Sequence, residues 1–325
     1  MEWNKHTANS SFKDVVKFID YFYNQLAETI KQKYNLINLD LPLVSNMKSD
    51  VNLLNNNRAI NFDNYNDKNI YEIIYEPDNM IRYYCWFLEL TNNDVVVSKY
   101  KQINRDAIIN NSSSIENNML NFEFFILEEQ KKEEYVLDLI NYFWNIFLKI
   151  VYSSSLNKNY RLETKKIRCV SLKEIKKMYL VLPIKDAVDK FILNNGIHLI
   201  KDISNKFEHD SNVYLEKSSD SHDFENTYSL LFFDENSQQV KELITITFRP
   251  NWDTYKKQKG INGEKILNNN FTDILKKDSE VNTCSFKINF DLLIYYFLSK
   301  TDIQEIPSCN SDFNLDKIYK LYFNK

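Results

Sequence analysis

The sequence predicts an α+β domain in which an antiparallel sheet is flanked by helices. Three observations point there. Residues 94–129 read as strand, loop, strand: D-V-V-V-S-K-Y (94–100) leads to Arg105 and Asp106, a polar loop without Gly or Pro follows, and a second run at 122–127 ends in Glu128 and Glu129. Two long stretches show helical spacing of apolar residues: Val15, Ile19, Phe22, Leu26 and Ile30 in one, and Val136, Leu139, Ile140, Phe143, Phe147 and Ile150 in the other. Finally, 228–233 and 242–248 read as paired strands across D-E-N-S-Q-Q.

In chain order, the first helix runs from Ser11 to Lys33, with Ser10 or Ser11 as its cap. L-I-N-L-D-L-P-L-V-S (36–45) alternates as a short strand ended near Pro42. Residues 50–62 end strand-like, Y-E-I-I-Y (71–75) is a further strand, and 80–90 is apolar enough for a buried helix. The hairpin follows, then the helix at 131–152 and a polar linker at 153–166. Helices are predicted at 171–178 and 184–194 around Pro183, the latter closed by Gly196. Residues 208–225 form a polar loop, 251–278 read as charged and irregular, and 282–290 is a weakly alternating strand entering an apolar helix at 291–298.

Composition narrows the function classes. The chain has 325 residues, 43% hydrophobic and 26% charged, as expected for a globular protein rather than a disordered one. A net charge of −4 gives no footprint for general nucleic-acid binding. Cys85, Cys169, Cys284 and Cys309 lie far apart, which argues against a zinc site and for reduced core thiols in a cytoplasmic protein. The polar start M-E-W-N-K-H has no apolar run behind it, so no secretory leader is expected, and no membrane span is found. The abundance of Asn, Lys, Ile, Tyr and Phe reflects an AT-rich genome. Only three glycines occur, Gly196, Gly260 and Gly263, against the ~7% of average usage. Glycine-rich phosphate loops need backbone without Cβ, so that class is excluded.

Few residues offer chemistry on their own. Arg105, at the hairpin lip, could clamp a phosphate or carboxylate bidentately; its simplest reading is a surface arginine. Arg82 reads as a structural cation at a helix surface. His209, Asp210, Asp220, His222 and Asp223 form a His/Asp-rich loop whose spacing matches no metal-ligand pattern, so no metal is expected. Asp220 with Asp223 is a candidate acid–base pair. Glu128 and Glu129 suit a strand exit before a helix start.

Motif fragments follow a recognisable order. After the first helix come L-I-N-L-D-L-P-L (36–43), Asn52, Leu53, R-A-I-N-F (58–62), Y-E-P-D-N-M-I-R (75–82), the hairpin I-N-R-D (103–106), the strand at 122–129, a helix carrying Trp144, V-S-L-K-E-I (170–175) and D-S-H-D-F (220–224). In this order the chain resembles class II aminoacyl-tRNA synthetase catalytic domains, and more closely ammonia-dependent asparagine synthetase, the aspartate–ammonia ligase family of that fold. The resemblance covers nearly the whole chain as a single domain, 1–325, and rests on order and spacing more than on intact motifs.

The resemblance implies a class II antiparallel sheet, ATP, magnesium and aspartate as ligands, and an aspartyl-adenylate that ammonia attacks. It also implies a homodimer, or a heterodimer with a related chain, through the Ser11–Lys33 helix. Phe18, Phe22 and Tyr23 would give that helix a second buried face. The departures are extensive. Where the family has an acid, a lysine, a strand glutamate and an arginine, the alignment gives Val51, Asn79, Thr245 and Leu292. The glycine-rich strand becomes T-C-S-F-K-I-N-F-D-L-L (283–293), with Phe286 and Phe290 expected where backbone must approach adenine. These losses imply a catalytically degenerate pseudoenzyme with no cofactor, acting as a dimeric structural, regulatory or partner-binding protein. Arg105, Arg82, Glu128, Asp220 and Asp223 are its ligand-binding candidates. The alternatives are a diverged ATP-dependent aspartate–ammonia ligase and a small-ligand sensor on the same fold. Membrane and nucleic-acid partners are not expected.

Overall fold

The computed structural model describes residues 10–47, 58–154, 166–204, 214–263, 265–266, 269–277 and 282–309. Residues 155–165 of the polar linker, the start of the 208–225 loop (208–213) with His209 and Asp210, and Val51 lie outside the described residues.

The described residues form two sheets. The large one has eight strands: β1 (Asn35–Leu39), β5 (Asp94–Ile103), β6 (Glu116–Phe125), β7 (Cys169–Ser171), β8 (His198–Lys201), β9 (Thr227–Asp234), β10 (Gln239–Phe248) and β11 (Thr283–Asn289). Their order is β1-β5-β6-β11-β10-β9-β8-β7. The central pairings are antiparallel, as expected, while the edge pairs β1/β5 and β7/β8 are parallel. A small antiparallel sheet joins β2 (Val44–Asn46), β3 (Asn61–Asn64) and β4 (Asp67–Ile73) in the order β2-β4-β3.

One face of the large sheet is apolar. Helices α1 (Phe12–Lys31), α3 (Glu133–Ser153) and α8 (Phe290–Phe297) lie on it. The predicted stripes of α1 and α3 are the buried ones: Val15, Phe22, Leu26 and Ile30, and Val136, Ile140, Phe143 and Phe147. Ser11 caps α1 through a capping box with Asp14. Phe18 and Phe22 are buried in this core, and Tyr23 packs edge-on against Phe290 at 6.4 Å. These rings serve the chain's own core, so the second face expected of α1 is not built from them. Its exposed apolar residues are Phe12 and Val16.

The opposite face is apolar only at its ends. At one end Ile81 and Cys85 of α2 (Asp78–Phe87) pack on Val96. At the other, α4 (Leu172–Met178) and α5 (Ile184–Asn195) cover Ile200 and Leu231. Gly196 at φ 76° closes α5. The expected irregular stretch at 251–278 instead forms α6 (Trp252–Asn262) and α7 (Asn270–Lys277). Their apolar residues are few but aromatic, and Tyr255 and Phe271 dock against Tyr83 and Trp86 of α2. With so few glycines, Glu89, Asp202, Gln238 and Ser299 adopt positive φ at turns where glycine would be free of strain.

Candidate functional site

Between those two apolar ends, the middle of the face is polar. Strict alternation along the central strands produces it. β6 directs Asn121 and Glu123 to this side and Phe122 and Phe124 to the core. β11 divides Ser285 and Lys287 from Cys284, Phe286 and Ile288, and β10 divides Thr245 and Thr247 from Ile244, Ile246 and Phe248. β9 contributes Thr227 and Ser229, and β5 contributes Ser98. All these polar side chains are buried.

Its centre is an ion network. Arg249, just beyond β10, donates from Nε to Glu123 Oε1 (2.8 Å) and from Nη2 to Glu123 Oε2 (2.8 Å) and Asp78 Oδ1 (3.1 Å). Its Nη1 donates to the Ser221 carbonyl (2.9 Å). Lys287 Nζ donates to Asp78 Oδ2 (2.7 Å) and to Glu76. Thr283 Oγ1 supports Glu123 (2.7 Å), and Ser285 Oγ donates to Asn121 Oδ1 (2.7 Å). Arg249, Lys287, Glu76, Asp78 and Glu123 are each at most 6% exposed. Two cations thus face three carboxylates, and Arg82 brings the third cation alongside.

The electrostatics follow from that packing. Burial opposes charge on Asp78, but Lys287 and Arg249 more than offset it and hold the carboxyl well below its ordinary range. Burial likewise opposes charge on Lys287 and Arg249, and the carboxylates around them keep both firmly protonated. For His222, burial first and then Lys287 outweigh the opposing pull of Asp78 and push it well below its ordinary value, so its ring is neutral. Its Nδ1 meets Ser221 Oγ at 2.8 Å, whereas Nε2 is buried with no hydrogen-bond partner among the described residues, as are Tyr100 OH and Ser98 Oγ.

A second group lies beside the first. Lys217 Nζ donates to Glu242 Oε2 (2.8 Å) and Thr245 Oγ1 (3.2 Å), and Thr245 Oγ1 and Ser229 donate to Glu242 Oε1. A bulge between Glu242 and Ile244 turns both Leu243 and Ile244 into the core and places Glu242 on the polar side with Thr245. A carboxylate is therefore present beside Thr245, although the alignment left that position without one.

Of the sequence-predicted candidates, the fold brings Arg82 against Asp220 and engages Arg105, Glu128 and Asp223 with other partners. Arg82 is buried, not on a helix surface; it donates to the carbonyls of Asp220 (2.9 Å) and Pro250 (2.9 Å) and lies 5.3 Å from the ring centroids of Trp86 and Phe271. Burial and the neighbouring Arg249 lower its pKa to about 10. Arg105 is exposed and donates to the Ala59 carbonyl (3.0 Å). Glu128 is exposed and pairs with Lys131 (2.7 Å). Asp220 pairs with Lys259 (2.7 Å), while Asp223 caps the turn at Phe224–Asn226. Asp220 and Asp223 are thus engaged separately, not as an acid–base pair. Asn79 and Leu292 are buried. Phe286 and Phe290 face the helical core, with Phe286 stacked on Phe143 at 4.1 Å, so neither ring lies on the polar face. Lys287 is the side chain that β11 sends to the polar face.

Sequence reading missed Glu76, Asp78, Glu123, Arg249 and Lys287. The available signal was the alternation N-F-E-F, T-C-S-F-K-I-N and T-I-T-F-R, in which every second residue is polar although both faces are covered. Among the described residues, no three His, Cys, Asp or Glu side chains converge as a metal-ligand set.

Comparison with solved structures identifies the fold. The asparaginyl-tRNA synthetase of Entamoeba histolytica, in complex with asparaginyl-adenylate, superposes with a TM-score of 0.62 at 9% identity, covering 91% of this chain and 66% of that one. The Pyrococcus horikoshii asparaginyl-tRNA synthetase gives 0.60 at 10% identity over 91% of this chain and 67% of that one. The aspartyl-tRNA synthetase of E. histolytica gives 0.58 at 11%, over 90% and 57%. The chain therefore spans about two thirds or less of these synthetases' length and shares their class II fold. No curated protein matches by sequence. The profile of the Aspartate-ammonia ligase family matches residues 13–318, and the chain belongs to that family.

Proposed function

We propose that this chain is a catalytically silent member of its family, a dimeric structural, regulatory or partner-binding protein built on the ligase scaffold. The closed ion network on the polar face of the large sheet carries this reading. A site that takes a charged substrate must offer charges still open to it. Here Arg249 is satisfied by Glu123 and Asp78, and Lys287 by Asp78 and Glu76, all out of solvent. The site residues do not fit a nucleoside triphosphate: β11 has no glycine, its Lys287 reaches across the face, and the first turn of α8 carries the acid Asp291 with Leu292 buried behind it.

Exposed apolar residues favour a partner. Phe12 and Val16 on α1, with Leu43, Met47, Phe62 and Ile70 on and beside the three-stranded sheet, give the homodimer or related-chain heterodimer its candidate surface. Light scattering of the purified protein checks this.

ATP–pyrophosphate exchange with magnesium and aspartate tests the proposal. We expect no exchange, no asparagine from ammonia, and no rise in melting temperature on adding ATP and magnesium. Exchange above a no-protein control would overturn it in favour of the diverged ligase. A second reading, the small-ligand sensor, is favoured by Ser98 Oγ, Tyr100 OH and His222 Nε2, three buried polar atoms on the polar face without partners among the described residues.

A further inference from the structure

From the packing around Lys287 we infer that the polar face contains a primary-ammonium binding site, and that Lys287 is its built-in occupant. The inference rests on the closed-site reading above and adds what the closed site would hold.

Three observations carry it. The Lys287 ammonium lies between two carboxylates from another element: Asp78 Oδ2 at 2.7 Å, at the start of α2, and Glu76 in the turn before it. Lys287 is 4% exposed and its carboxylate partners 0% and 5–6%, so this is an enclosed anionic cradle and not a surface pair. Lastly, the lysine reaches it from β11, in the middle of the sheet, where the two polar-face residues before it, Thr283 and Ser285, are small hydroxyls bonded to Glu123 and Asn121.

A fixed pair of buried carboxylates is costly unless a cation lies between them. A lysine ammonium offers three donors on a compact charge. Any primary ammonium of similar reach offers the same three donors. Arg249 cannot substitute, because its planar fork is already bidentate on Glu123 and spends one further donor on Asp78 Oδ1, the other oxygen of that carboxylate. Removing the Lys287 side chain beyond Cβ therefore leaves a cavity shaped by three methylenes and an ammonium, walled at its end by Glu76 and Asp78. The chemical class that fits is an unbranched primary alkylammonium, propylammonium being closest in length.

The test is chemical rescue of Lys287→Ala, read by thermal melting. Propylammonium chloride is compared with potassium chloride and tetramethylammonium chloride at equal ionic strength. The variant is expected to melt below the wild type, and propylammonium alone is expected to raise it. At ten times its dissociation constant the folded-to-unfolded ratio increases about elevenfold. The wild type, already occupied, does not respond. Lys287→Met, which fills the volume without charge, melts low and does not respond either. Should Lys287→Ala be recovered unfolded, refolding in propylammonium against potassium chloride is the readout, and recovery only in propylammonium supports the inference. Equal responses to all three salts, a response of the wild type equal to that of the variant, or no response of the alanine variant in either format overturns it. None of these outcomes depends on ATP, so pyrophosphate exchange by the wild type would refute the silent-scaffold reading and leave this result to be judged separately.

Discussion

Replacing Arg249 with methionine removes one cation and keeps most of the side-chain volume. Four hydrogen bonds are lost, three of them to Glu123 and Asp78 at 2.8–3.1 Å, and Glu123 is left as a buried carboxylate with Thr283 and Asn121 as its hydrogen-bond donors among the described residues. Removing one partner of a buried ion pair costs about 3–5 kcal/mol. Against a typical total of about 5–15 kcal/mol, the variant lies near the edge of folding. Urea midpoints measured across pH check the reasoning. In the wild type, Asp78 is held below its ordinary range, so its contribution is present above its unfolded value of about 3.9 and is lost as pH falls. In the variant, the stranded carboxylate prefers to take up a proton, so acid relieves the folded state. The gap between the two proteins must therefore narrow on acidification. Adding Glu123→Gln to the variant should recover more than half of the loss at neutral pH. A deficit below about 1 kcal/mol, or one that does not change with pH, would refute a network held by charge.

Three further outcomes are expected. Phe286→Ala removes the ring stacked on Phe143 in the helical core and should cost about 3–5 kcal/mol by denaturant titration, without opening the polar face. Gly196→Ala should lower stability by about 1 kcal/mol through backbone strain alone, since φ is 76° and no atom lies within 4 Å of the added Cβ. All four thiols should react slowly with a thiol reagent in the native state and rapidly in denaturant. Burial raises each thiol pKa, that of the half-buried Cys169 to about 12.

Much of the frame is legible in the amino-acid sequence. Local signals define α1, α3, the β5–β6 hairpin and the β9–β10 pair, because each expresses a single period or a turn within one stretch of chain. The order of motif fragments carries the family. Less legible is 251–278, where α6 and α7 take their apolar contacts from aromatic residues of α2 far away in sequence. Arg105 stands out in the sequence because its neighbours are polar, yet the fold leaves it exposed on Ala59. Arg249, just beyond β10, and Lys287, within β11, are inconspicuous in stretches that read as ordinary alternation.

The sequence by itself determined the α+β class, the family, the absence of a glycine-rich phosphate loop and the two helices that cover the apolar face. The family follows from the resemblance carried by the order of motif fragments; the rest follows from composition and from periods of 3.6 and 2, which are properties of neighbouring residues. Only the tertiary structure decided that the polar face is closed by its own charges. Glu76 and Asp78 meet Lys287 across more than two hundred residues, and Glu123 meets Arg249 across 126. Whether a buried charge is open to a ligand or already satisfied depends on partners that strand order and one bulge in β10 bring together, and no local period records that.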